Sequence, residues 1–167
     1  SASRSFVIPL TADGEDRMAT VGPIDAQQVA YIHAHMWQRG RDELMNFGMD
    51  PEKALPFYLE RNLSPFSFGV FDEGKPVAFM GARQRVDGAY YTWFLATDDF
   101  VKAGLVATLA IKRFLVKIMA EHKDARLFLI SASEHPDAER WFGLLGFRHI
   151  ATTGVVRTFK YGATDVR

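Results

Sequence analysis

Cysteine is absent from the 167 residues. Its absence excludes disulfides, thiol nucleophiles and thiolate-held zinc. An excess of charge is absent too: Lys and Arg total 20, and Asp and Glu total 20. With no net charge, neither nucleic acid nor a membrane surface is the expected partner. No apolar run approaches the ~20 residues needed to span a bilayer. Residues 1–10 lack the basic start and long apolar stretch of a secretory signal, so a cytoplasmic, non-secreted protein is expected. Internal repeats, linkers and low-complexity segments are missing as well, which points to one domain over 1–167. What is present in quantity is aromatic: 14 Phe in a chain that is 48% hydrophobic. That content suits a well-filled core or a sticky face.

Hydrophobic period and turn residues divide the chain. Ser5 to Leu10 reads as a first strand before Asp13-Gly14. Asp25 is a good N-cap for a helix through Val29, Ile32, Met36 and Trp37, with Gly40 as its breaker and 41–47 as its continuation. Asp50-Pro51 opens a second helix that ends before Pro65. Phe66 to Phe71 and Pro76 to Gln84 form a hairpin about Glu73-Gly74. After Asp87-Gly88, Ala89 to Ala96 is an aromatic-rich central strand. Thr97 or Asp98 caps a long helix that runs to about His122. Arg126 to Ser131 is a buried strand. Ser133 caps a helix that stops at Gly146. Phe147 to Thr152 and Val155 to Tyr161 close the chain as two strands joined at Gly154.

The strand–helix–strand–helix order from Tyr90 to Phe147, ending in Leu144-Leu145-Gly146-Phe147, resembles the acetyl-CoA-binding half of the GNAT N-acetyltransferases. The resemblance implies an α/β, single-domain GNAT-like (acyl-CoA N-acyltransferase) fold with a mixed, mostly antiparallel sheet flanked by helices. Ala89 to Ala96 and Arg126 to Ser131 would then be adjacent parallel strands that splay at their C-terminal ends. The resemblance also implies a site for acetyl-CoA. Pantetheine would run along Leu95, Ala96 and Thr97, and the pyrophosphate would sit at Gly104, Leu105 and Val106. Free N–H groups and a helix N-terminus attract phosphate there, and small residues let it approach.

Several chemical positions depart from the family pattern. Gly104 fits the first loop glycine, but Val101 replaces the usual Arg or Gln. Val106 replaces the second small residue, where a β-branched side chain is expected to crowd the phosphate. Asp98 and Asp99 add negative charge beside the loop. His135 stands at the usual Asn of the following helix. Phe142 stands at the usual Tyr that protonates the departing thiolate, and Phe has no proton to give. Tyr90 to Ala96 contains no acidic residue to serve as base, leaving water or His135. Gly81 to Phe147, and Trp93 to Asp98 in particular, is also similar to small GNAT-like phage proteins, including internal virion proteins of short-tailed phages.

Three functions follow as expectations. The first is a GNAT-fold protein of phage type, in virion or host cytoplasm, acting by binding or virion assembly with a protein partner. The second is an acetyl-CoA-dependent N-acetyltransferase of an amine substrate. The third is an inhibitor of a host enzyme. Whether the chain is an enzyme stays open at this level. No metal is expected: His33 and His35 are two apart on a helix, on different sides, with no carboxylate pair. His149 reads as structural.

Overall fold

The computed structural model describes residues 4–8 and 17–162. Among the described residues eight strands form one sheet in the order β1-β2-β3-β4-β5-β6-β8-β7. They are β1 (Arg4–Ile8), β2 (Arg17–Gly22), β3 (Phe68–Asp72), β4 (Lys75–Gln84), β5 (Tyr90–Ala96), β6 (Leu127–Ser131), β7 (Phe147–Thr153) and β8 (Val156–Tyr161). Every neighbouring pair is antiparallel except β5 and β6, which are parallel. A parallel pair needs a long crossover, and α4 (Asp98–Glu121) supplies it.

The helices cover both faces. On one face α4 lies against β1 to β4. Its Ala107, Ala110, Ile111, Phe114 and Leu115 share a core with Phe68, Val70, Met80, Leu127 and Phe159. On the other face α1 (Ala26–Ala34) and α3 (Leu55–Leu59) pack on β4 and β5, around Val29, Ile32, Tyr58, Phe79 and Leu95. The remaining helices are α2 (Gln38–Asn46) and α5 (Ala138–Leu145), with a 3-10 turn at Pro51–Lys53.

Most elements form where the sequence predicts them, for the reasons that predict them. Asp25 caps α1 with a reciprocal pair: Asp25 Oδ1 accepts from Gln28 N–H at 2.8 Å, and Gln28 Oε1 accepts from Asp25 N–H at 3.0 Å. Gly146 ends α5 with a left-handed φ of 108°. His149 Nε2 is engaged by Ala151 O and Thr152 Oγ1 within its own hairpin.

Three local readings change, and one lies outside the described residues. β2 is a strand that the sequence reading passes over; Ala19 and Val21 alternate inward between β1 and β3. β3 begins at Phe68, because the Ser67 N–H closes a turn onto Ser64 O at 3.0 Å, although Phe66 is fully buried. Leu10 and the Asp13-Gly14 turn lie outside the described residues. The first helix ends at Ala34 and not at Gly40. Met36 pairs with Thr97 as an isolated bridge, and Trp37 N–H donates to Ala96 O at 2.9 Å. This strand-like docking onto the end of β5 outcompetes helix continuation. Gly40 then sits inside α2, where a Cβ would meet Met36 and Trp37 atoms at 3.0 Å.

Candidate functional site

The site begins where β5 and β6 part. Their last paired residues are Thr92 and Leu129, and Thr92 Oγ1 donates to Phe128 O at 2.9 Å. Beyond that point β5 stays on β4 through Ala96, paired with Ala78. Tyr90 N–H donates to Arg126 O, so alternation turns the backbone groups of Tyr90, Thr92, Phe94 and Ala96 toward β6. The Ala96 carbonyl is taken by Trp37, which leaves the Phe94 peptide groups facing the wedge.

Contacts from α2 hold the parted end of β6. Ala132 N–H donates to Glu43 Oε1 at 3.0 Å, and Ala132 O accepts from Asn46 Nδ2 at 2.9 Å. These side chains replace a neighbouring strand for the peptide groups that β5 no longer meets. The splay is therefore built by α2 and the Met36-Trp37 segment.

The wedge is a cleft of about 290 Å³. Trp37, Phe94, Phe100, Trp141 and Phe142 form its aromatic lining. Phe94 and Trp141 have ring centroids 4.8 Å apart, and Phe100 and Trp141 are 5.8 Å apart. Glu43, Arg39, Asp137 and Ser133 form its polar lining. Burial pushes the Glu43 carboxyl above its ordinary value of 4.5, against the lowering effects of Ala132 N–H, Ser131, Arg39 and Arg157. Burial likewise lowers Arg39, opposed by Asp137 and Glu43.

One wall of the cleft is a break in α4. Gly104 has φ 49° and ψ −122°, so the helix stops there and restarts. A Cβ at Gly104 would meet nothing within 4 Å, so the position is open. A hydrogen-bond relay fixes the break to α5. Trp141 Nε1 donates to Thr108 Oγ1 at 3.1 Å, and Thr108 Oγ1 donates to Gly104 O at 3.0 Å. A restarted helix opens a fresh N-terminal turn, whose leading N–H groups favour an anion.

The residues singled out from the sequence are placed as follows. Gly104 and Phe142 line the cleft. Val106 is 6% exposed and points into the main core, so it does not crowd the cleft as its β-branch suggested; Leu105 is 68% exposed. Leu95 and Thr97 turn their backbones to β4, with Thr97 N–H on Val77 O, and Ala96 lends its carbonyl to Trp37. Asp99 is paired with Lys75 at 2.7 Å and Lys102 at 3.1 Å, which offsets its charge. His135 lines an adjoining hollow with Arg39, Asp42 and Glu43. Its Nδ1 accepts from Asp137 N–H at 3.2 Å and its carbonyl from Ala138 N–H at 3.1 Å, so it fixes the turn before α5, whose N-cap is Asp137 and not the expected Ser133. Glu43 and Arg39 are absent from the sequence-derived candidates. No local signal marks Glu43, because its partner Ala132 lies 89 residues away.

This arrangement of strands and helices superposes on solved structures. The chain has the GNAT fold. It superposes on the GNAT domain of Streptomyces lividans PAT (S. lividans) with TM-score 0.66 at 13% identity, covering 94% of this chain and 96% of that one. For the PaiA N-acetyltransferase of Thermoplasma acidophilum, solved with coenzyme A, the TM-score is 0.62 at 9% identity, over 86% and 98%. For the ribosomal-protein-S18-alanine N-acetyltransferase of Escherichia coli it is 0.57 at 12% identity, over 86% and 93%. No family model and no curated protein matches the chain. None of these three structures is described as a virion or inhibitor protein, so the phage-assembly and inhibitor readings gain nothing from them. Among the described residues no helix is long and apolar enough to cross a membrane, and no group of three His, Asp or Glu could hold a metal.

Proposed function

We propose that the chain is an acyl-CoA-dependent N-acyltransferase, with acetyl-CoA as cofactor and an amine as acceptor. The observation that supports this most is the parting of β5 and β6 beyond Thr92, which opens a cleft between backbone groups that elsewhere would pair. The residues present fit the cofactor. Gly104 and the turn after it would hold the pyrophosphate through backbone N–H groups, with Leu105 turned outward and Val106 inward. The Phe94 peptide groups would hold the pantetheine, and the aromatic lining would keep water from the reacting end.

When bound, acetyl-CoA supplies an acyl carbon activated as a thioester. This chain's part is to orient the acceptor and manage its proton. Glu43, whose pKa burial raises, is the base assigned here, taking the proton that an ammonium must lose before it can attack. Arg39 and Arg157 keep its carboxylate form accessible. Phe142 provides no acid, so the proton for a departing thiolate would have to come from water.

The binding-only reading rests on the missing Arg or Gln at Val101 and the missing hydroxyl at Phe142. The test is CoA-thiol release from acetyl-CoA with a panel of amines, comparing wild type with Glu43→Gln. Wild-type turnover that falls ~10²-fold or more in the variant is expected, in line with the usual worth of a general base. CoA binding with no thiol release from any amine would favour the binding-only reading.

A further inference from the structure

A second hollow, of about 350 Å³, lies on the α1–α3 face of the sheet. Arg61, Arg83, Arg85 and Trp93 line it. Arg61 follows α3 and is 8% exposed. Its guanidinium lies over the Phe57 ring at 3.4 Å and the Trp93 ring at 4.4 Å. Nη1 donates to Phe57 O at 2.7 Å, but the buried Nε has no hydrogen-bond partner. Arg83 is the last residue but one of β4, and Arg85 lies over the Tyr91 ring at 4.6 Å. The carboxylate beside them, Glu60, is 3.8 Å from Arg61 and 3.9 Å from Arg83, beyond hydrogen-bond reach and largely exposed.

Three arginines thus line one hollow, with the exposed Glu60 beside Arg61 and Arg83. Burial lowers the Arg61 pKa first, and repulsion from Arg83 lowers it further. An arrangement that costs stability when empty is relieved by an anion. Arginine forks fit the paired oxygens of a carboxylate or phosphate, and stacking on Phe57 and Trp93 holds the Arg61 fork in a fixed plane.

The position of the hollow links it to the cleft. Trp93 directly follows Thr92, the last β5 residue paired with β6, and Phe94 after it lines the cleft. Arg39 and Glu43, which line the cleft, come from α2, whose Leu44 belongs to the α1–α3 core. We propose that the hollow is an oxyanion subsite for the acceptor: it takes a carboxylate or phosphate of the molecule whose amine enters the cleft. This rests on the acyl-transfer reading above and adds a substrate class to it.

The test separates the two. Wild type and the double variant Arg83→Gln/Arg85→Gln are titrated with sodium phosphate and with an end-blocked tetraglutamate peptide, followed by calorimetry. Both arginines are exposed, and an unchanged melting temperature checks the variant's fold. Saturable, salt-sensitive binding of at least one anion is expected, weakened ~10-fold or more in the variant, as charge-assisted contacts require. The tighter anion identifies the group. CoA affinity, titrated in parallel, stays equal in both proteins; absence of CoA binding would sink the acyl-transfer reading while leaving the anion result readable. In thiol-release assays, the variant should raise KM for a carboxylate-bearing amine about tenfold or more and leave kcat unchanged. No saturation by either anion, equal binding by the variant, or an unmoved KM would overturn the subsite.

Discussion

Glu43 is where a single side chain bears most on the chemistry. Its carboxyl is raised above 4.5 by burial, so the folded state binds that proton more tightly than the unfolded chain does. The sign follows. Its contribution to stability is full below 4.5 and is lost as pH rises through the raised folded value. Gln keeps an oxygen for Ala132 N–H and has no charge to desolvate. The melting-temperature gap between Glu43→Gln and wild type should therefore widen in the variant's favour from about pH 4 to about pH 8. A gap independent of pH would mean the carboxyl is not desolvated. Phe142 carries the second residue-scale prediction. Its ring packs on Phe159 at 5.0 Å and Trp141 at 5.6 Å while lining the cleft. Phe142→Tyr should restore an acid and raise thiol release, by up to ~10²-fold. A variant that loses ~1–3 kcal/mol with no gain in rate would place the new hydroxyl in the core, unpartnered.

At the scale of elements, the break in α4 matters more than the helix's length. Thr108 ties it together, accepting from Trp141 and donating to Gly104 while almost fully buried. Thr108→Val would leave Trp141 Nε1 without this acceptor and should cost ~1–3 kcal/mol in denaturant unfolding. A neutral result would show that the relay does not hold the break. The sequence is legible for elements whose signal is local: the Asp25 cap, the hairpin at Glu73-Gly74, the aromatic β5, the Gly146 stop. It is legible for the parallel β5–β6 pair as well, because α4 stands between them. It is silent where a distant backbone decides. Met36 and Trp37 continue a helical stripe, yet Ala96 and Thr97 draw them into strand pairing. Short, weakly apolar β2 is a strand because β1 and β3 flank it. The cleft's lining glycine is readable as a motif. Its candidate base is not, because α2 meets Ala132 only after the sheet has formed.

Across the whole molecule, one sheet divides the work. Its α4 face carries the larger core and the broken helix, and its α1–α3 face carries α2, the basic hollow and the aromatic pair Tyr91–Phe128, stacked at 4.9 Å. The cleft at the β5–β6 parting opens between these two faces, which is what a reaction between a cofactor on one side and an acceptor on the other requires. Charge balance at 20 against 20 leaves no long-range field to steer a partner, so selectivity falls to local groups such as Arg61 and Arg83. The central claim is that the parting of β5 and β6, with the turn after Gly104, is a CoA site. Calorimetric titration of CoA into wild type and Leu105→Glu tests it most directly. Leu105 is exposed and begins a helical turn, where Glu is well tolerated, so the fold is preserved while a negative charge is set at the mouth. Saturable binding by wild type that weakens ~10-fold or more in Leu105→Glu, about 1.4 kcal/mol, is the predicted result. No binding by wild type, or equal binding by the variant, would contradict it.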